Sequence, residues 1–91
     1  MNKSELIEAL AQNLDINPRK ANTILETILE TMTETMVRGD DIEIRGFGSF
    51  TVKTYKPYTG RNPKTGMKIA VSQKKLPFFK VGKELKERVD S

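Results

Sequence analysis

Leu6, Ile7, Leu10 and Leu14 recur along the start of the chain at spacings that gather apolar side chains on one face of an α-helix. The pattern predicts a helix from Lys3 to about Leu14. Asn2 stands at its cap, and Glu5 three residues on completes a capping-box pattern. Asp15 and Ile16 make a short turn. Asn17-Pro18 then opens a second helix, with Asn as cap and Pro at the first helical position. Ala21, Ile24, Leu25, Ile28, Leu29, Met32, Met36 and Val37 give that helix a wide apolar face. It runs to Arg38, spans about 30 Å at 1.5 Å per residue, and stops at Gly39 before Asp40-Asp41. A helical hairpin this small cannot cover such a face alone. A sheet, a second copy of the chain, or both must do so.

From Asp41 the period changes from helical to two. Ile42 and Ile44 alternate with Glu43 and Arg45, and Gly46-Phe47-Gly48 predicts a tight turn with the ring directed inward. Ser49 to Tyr55 alternates again, with Phe50, Val52 and Thr54 on one face and Thr51, Lys53 and Tyr55 on the other. The stretch from Lys56 to Gly66 holds Pro57, Pro63, Gly60 and Gly66, and Tyr58 is its one large apolar residue. Met67 to Gln73 reads as a returning strand, with Met67, Ile69, Val71 and Gln73 on one side. Proline does not sit inside a central strand. This part therefore predicts a two-stranded ribbon that leaves the body, with its tip near Asn62-Pro63. A ribbon of this kind is only marginally stable in water by itself. Lys74 to Lys80 brings the chain back, and Lys83 to Val89 predicts a short helix with Leu85 and Val89 inward. The expected class is α+β: a two-helix hairpin base, a three-stranded antiparallel sheet with an extended β-ribbon arm, and a C-terminal helix. One domain is expected over 1–91. It divides into a helical dimerisation region (1–39), a sheet (40–82) with its arm at about 53–75, and the terminal helix (83–91).

Charge sharpens this picture. Residues 1–44 carry four basic and nine acidic residues, whereas residues 45–91 carry twelve basic and three acidic. From Arg45 to Lys80 there are nine basic residues and no acid. A solvated surface mixes its signs, so a block of one sign this long points to a polyanion. The alternating apolar residues and turn signals within the block argue against a disordered basic tail. The chain has no cysteine and no histidine. Disulfides, thiolate metal sites, the commonest general base and the commonest zinc ligand are thereby absent. With no Gly-rich phosphate cradle and no clustered carboxylate pair, an enzyme is not expected, nor a cofactor or a small-molecule substrate. Ninety-one residues make a thin core without staples, so a partner subunit is expected to supply stability. The first ten residues include Glu5 and Glu8 and no apolar run. No signal peptide, membrane span or membrane partner is expected, and the expected location is the cytoplasm.

Four blocks carry a resemblance: Met1 to Ile7, Gly46 to Phe50, Gly60 to Gly66, and Pro77 to Leu85. In this order and at these spacings the chain resembles, over its whole length, the HU and integration host factor family of bacterial nucleoid proteins. The resemblance implies an intertwined dimer, with an identical or a related subunit, whose two β-arms reach around duplex DNA. It implies a wedge proline at Pro63, arm cations at Lys53, Arg61 and Lys64, and body phosphate contacts at Lys3, Lys80, Lys83 and Lys86. It also implies an aromatic core of Phe47, Phe50 and Phe79. Two features depart from the family pattern. Tyr55 and Tyr58 stand where arginine is usual, and Met67 replaces a polar residue just past the tip. The stretch Ile42 to Gly46 resembles the β-type subunits of integration host factor, in which the residue matching Arg45 helps read the minor groove.

These residues fit the chemistry of a DNA bender. Proline is rigid and apolar, so it can enter a base step and kink the duplex. Arg61 and Lys64 flank it and suit the groove floor and phosphates. Asn62 is placed either to bond base edges or to build the turn. Lys56, Lys68 and Lys75 are further DNA-contact candidates along the arm. Lys80, Lys83 and Lys86 form a basic face at the start of the last helix, suited to phosphates. Glu26, Glu30 and Glu34 form an acidic stripe that points away from DNA. The expected function is a nucleoid architectural protein that binds duplex DNA through the minor groove and bends it. A single-stranded nucleic-acid or RNA chaperone is the alternative, and it needs aromatics exposed among the cations. Tyr55 and Tyr58 meet that condition, although cross-strand support of the ribbon is their simpler role.

Overall fold

The computed structural model describes the backbone of residues 1–91 and every side chain except that of Val71. Helix α1 spans Lys3–Leu14 and α2 spans Pro18–Val37. Each begins on the asparagine the sequence marks. The side chain of Asn2 accepts from the Glu5 N–H, and that of Asn17 from the Lys20 N–H. Only this half of the predicted capping box forms among the described residues. Helix α1 ends with Asp15 in the left-handed region (φ 53°), where the Ile16 N–H reaches back to the Ala11 carbonyl. The end of α2 uses the same hydrogen-bond pattern, with the Gly39 and Asp40 N–H groups donating to Met36 and Thr35.

Five strands follow, because the ribbon forms a ladder separate from the body strands. They are β1 (Ile42–Ile44), β2 (Gly48–Tyr55), β3 (Tyr58–Arg61), β4 (Lys68–Val71) and β5 (Lys74–Val81), and α3 (Lys83–Val89) ends the chain. The body sheet is antiparallel in the order β1-β2-β5, while β3 and β4 form a two-stranded sheet of their own. Three expectations change here. The returning strand is shorter than Met67 to Gln73, because the hydrogen-bonded loop from Asn62 to Met67 closes the tip first. The stretch from Lys74 is a full strand, with Pro77 inside it opposite Val52. Proline is tolerated there because β5 is the edge of the sheet. The tight turn lies one residue earlier than Gly46-Phe47-Gly48. The Phe47 N–H donates to the Ile44 carbonyl, Gly46 takes φ +83°, and Gly48 already opens β2.

The core is thin. Among the described residues only Ala11, Ala21 and Leu25 are buried apolar side chains, and they lie where α1 meets α2. Phe47, Phe50 and Phe79 do cluster, with centroid separations of 5.6 Å (Phe47–Phe79) and 4.8 Å (Phe50–Phe79). Phe47 and Phe79 nevertheless remain nearly half exposed, because nothing within one chain lies over them. Val89, expected inward, is 78% exposed: beneath the last turn of a seven-residue helix the chain supplies no surface to bury it. Ile28, Leu29 and Val37 on α2 are also exposed. The Cα radius of gyration is 18.9 Å, against about 12 Å for a compact chain of this length. The projecting ribbon accounts for the excess.

Candidate nucleic-acid interface

Register decides which side chains share a face of the body sheet. Side chains alternate along a strand, and directly opposed residues point the same way. Phe50 opposes Phe79, Val52 opposes Pro77 and Thr54 opposes Lys75, which makes one face. That face looks toward the end of α2. Val52, Lys75, Leu76 and Pro77 line an apolar groove of about 460 Å³ there with Thr33, Met36 and Val37. Lys75 therefore belongs with the helix side rather than with the other cations. The opposite face holds Ser49 with Lys80, Thr51 with Phe78, Lys53 with Leu76, and Tyr55 with Lys74. This open face carries Lys53, Lys74 and Lys80. Reading the sequence missed Lys74 and Phe78. A register assignment for β5 was the signal that could have found them.

The turn into β2 explains why the body holds its shape. A Cβ on Gly48 would lie 2.6 Å from both the Lys80 carbonyl oxygen and Phe79 Cζ, so only glycine fits at this crossing. The Gly82 N–H donates to the Phe47 carbonyl and fixes the entry to α3. Lys83 and Lys86 follow three residues apart on α3, both exposed. Arg45 is exposed in the β1–β2 turn, beside Gly46, whose Cβ position approaches the Glu84 carboxylate.

The arm is built from local hydrogen bonds. Arg61 and Lys68 close the β3–β4 ladder as a cross-strand pair. Beyond them the Asn62 N–H donates to the Met67 carbonyl (2.8 Å) and the Gly66 N–H to the Asn62 carbonyl (2.7 Å). The Asn62 side-chain oxygen accepts from the Lys64 N–H at 2.9 Å. Of the two roles open to Asn62, the turn engages its oxygen, while its amide N–H₂ remains a free donor group. Pro63 stands exposed in this closed loop, and Lys64 and Lys56 are exposed as well.

Electrostatics separates the two halves of the chain. Among the described residues the ion pairs are Lys3–Glu26 and Arg38–Asp40, both on the helical side. Lys3 thus spends its charge on the acidic stripe of α2, while no cation from Arg45 to Lys80 has an acidic partner. Lys53 instead places its Nζ 4.1 Å from the centre of the Phe78 ring. No group of potential metal ligands occurs among the described residues. No helix there is long and apolar enough to cross a membrane.

Residues 1–90 match the family described as bacterial DNA-binding protein. The chain is 52% identical to integration host factor subunit beta of Dechloromonas aromatica (strain RCB), over 99% of this chain and 97% of that relative. It is 50% identical to the same subunit of Mannheimia succiniciproducens, with the same coverage. Among solved structures it is similar to Anabaena HU in a cocrystal with DNA. The TM-score is 0.86 and the identity 38%, over 98% of this chain and 97% of that one.

Proposed function

The chain belongs to the bacterial DNA-binding protein family, that of HU and integration host factor, and on that premise we propose that a dimer of it binds and bends duplex DNA over the open face of its sheets. The family is one of architectural DNA-binding proteins, not of enzymes. The observation that carries the proposal is the run of cations from Arg45 to Lys80 without an acidic partner, most of them on the open face and the arm, with Arg45 in the β1–β2 turn and Lys75 toward the helices. Lys80, Lys83 and Lys86 take phosphates on the body. Lys53, Lys56, Arg61, Lys64 and Lys68 follow the backbone along the arm. Lys3 joins the body contacts when it exchanges Glu26 for a phosphate, and Arg45 lines the minor groove. Pro63 wedges into a base step and kinks the duplex. Such a protein acts on the nucleoid, in the cytoplasm.

Residues 1–91 form one DNA-binding domain, in which 1–39 serve dimerisation, 40–82 form the sheet and arm, and 83–91 form the closing helix. The partner is a second subunit, identical or related, because Ile28, Leu29, Val37, Phe47 and Phe79 need covering. An apolar area of this kind is normally buried against another chain. Competition between a duplex of about 35 base pairs and its single strand tests the reading. Such a duplex is far shorter than the ~150 bp persistence length and nearly straight when free. The duplex is expected to win, and end-to-end energy transfer is expected to rise on binding. Preference for the single strand would favour the chaperone alternative, in which Tyr55 and Tyr58 stack on bases. The melting temperature is expected to fall on dilution, because association is part of folding.

A further inference from the structure

The body sheet contains one cation held in place without being neutralised. Thr51 stands opposite Phe78 and Lys53 opposite Leu76, so Lys53 and Phe78 are diagonal neighbours on the open face. An aromatic ring and a long side chain can bridge that diagonal. Here they do, with the ammonium over the ring at 4.1 Å. Phe78 is 45% exposed, on the side of the sheet facing away from the α2 groove. It thus contributes nothing to the phenylalanine cluster on the other face. Its placement is unexplained by burial.

Resting on the proposed DNA binding, we propose that Phe78 is a positioning residue for Lys53, holding its ammonium above the open face for a DNA phosphate. The contrast with Lys3 gives the physical reason. Glu26 orients Lys3 but cancels its charge until the pair separates. A ring attracts the ammonium through its quadrupole and leaves the net charge intact. In a segment with no acidic residue from Arg45 to Lys80, a neutral aromatic restrains a lysine without cancelling its charge. A restrained lysine loses less rotamer freedom when the phosphate arrives, so the same contact binds more tightly.

The test is a double-substitution cycle read by duplex affinity, with thermal melts to confirm folding. Phe78→Leu is expected to weaken binding about two- to five-fold, the scale of an exposed cation–π contact. Lys53→Ala is expected to cost less in the Phe78→Leu background than in the parent protein, because an unrestrained Lys53 contributes less. Phe78→Trp, with the stronger ring, is expected to bind at least as well as the parent. A second readout needs no DNA: the Lys53 ε-methylene protons should be shifted upfield by the ring in the free protein, and should return in Phe78→Leu. Independent effects of the two substitutions, a Phe78→Trp variant that binds like Phe78→Leu, or unshifted methylene protons would overturn the proposal. If the parent protein binds no duplex, the DNA-binding reading fails and the proposal falls with it, while the proton shift still reports whether the pair exists.

Discussion

The body and the arm of this protein are both antiparallel β-structure, yet different forces shape them. In the body, strands cross at van der Waals contact: Gly48 has no room for a methyl group against Phe79 and the Lys80 backbone. Asp41 adds a side-chain bond to the Val52 N–H at 3.1 Å. In the arm nothing between residues 56 and 73 is buried among the described side chains. Its geometry comes from a four-rung ladder and the bonds around Asn62. Packing is cooperative and tolerates little change of volume, whereas turn chemistry is local and leaves the surface free. The body can therefore be damaged by one added methyl group, and the arm can carry any surface that binding requires.

Salt draws the contrast most sharply. With on the order of ten phosphates met by two subunits, duplex affinity is expected to fall by about 10³–10⁵-fold between 50 and 200 mM salt. The melting temperature at fixed protein concentration should move little over that range, since the ion pairs are few and exposed. A filter-binding or fluorescence titration at several salt concentrations measures the slope. A flat slope would mean that the unpaired cations do not meet phosphate.

The next effect is confined to the body. Gly48→Ala is expected to destabilise folding by about 1–3 kcal/mol, because the Phe79 ring and the β5 backbone must both shift. Denaturant melts would read this, and Thr59→Ser in the arm, which also changes one methyl group but at an exposed position, serves as the contrasting control with a small effect. Equal losses at the two positions would erase the distinction.

Pro63→Ala reverses the pattern. It keeps every charge and removes only a rigid, exposed ring, so stability should be unchanged while the bend angle of a labelled duplex decreases. Bending a short site costs of order 1–6 kcal/mol. The variant should therefore lose more affinity for straight DNA than for nicked or prebent DNA. An unchanged angle would make Pro63 a turn residue only, with bending left to the basic body.

The smallest expected effect tests the body's local chemistry. Asp15 adopts φ 53°, a left-handed conformation that costs a residue with a Cβ more than it costs glycine. Asp15→Gly should stabilise the protein by about 0.5–1 kcal/mol in a chemical melt and leave duplex affinity unchanged. A loss of affinity would place this turn in the interface.

Much of the chain was legible from local pattern. Asn2 and Asn17 cap helices because a short polar side chain can reach the free N–H groups one turn on. The apolar spacing of α2 and the sudden loss of apolar residues after Lys56 marked base and arm. The nine cations from Arg45 to Lys80, with no acid among them, pointed to a polyanion. Other features depended on which strand pairs with which. Lys75 and Lys80 are both lysines in one strand, yet one lines the α2 groove and the other the open face. Val89 looked inward because its helical spacing matches Leu85, but spacing cannot say whether any surface lies beneath the last turn. Phe78 is next to Phe79 in sequence, yet the register puts it on the other face, with its ring under Lys53. Periodicity records how side chains alternate within one segment, so the sequence determined the elements and the sign of their charge. The partner across the ladder, and with it the face each side chain occupies, is set by pairing between segments more than twenty residues apart, as for Lys53 and Leu76. A shift of one residue in that pairing would exchange the two faces, and only the tertiary structure fixes it.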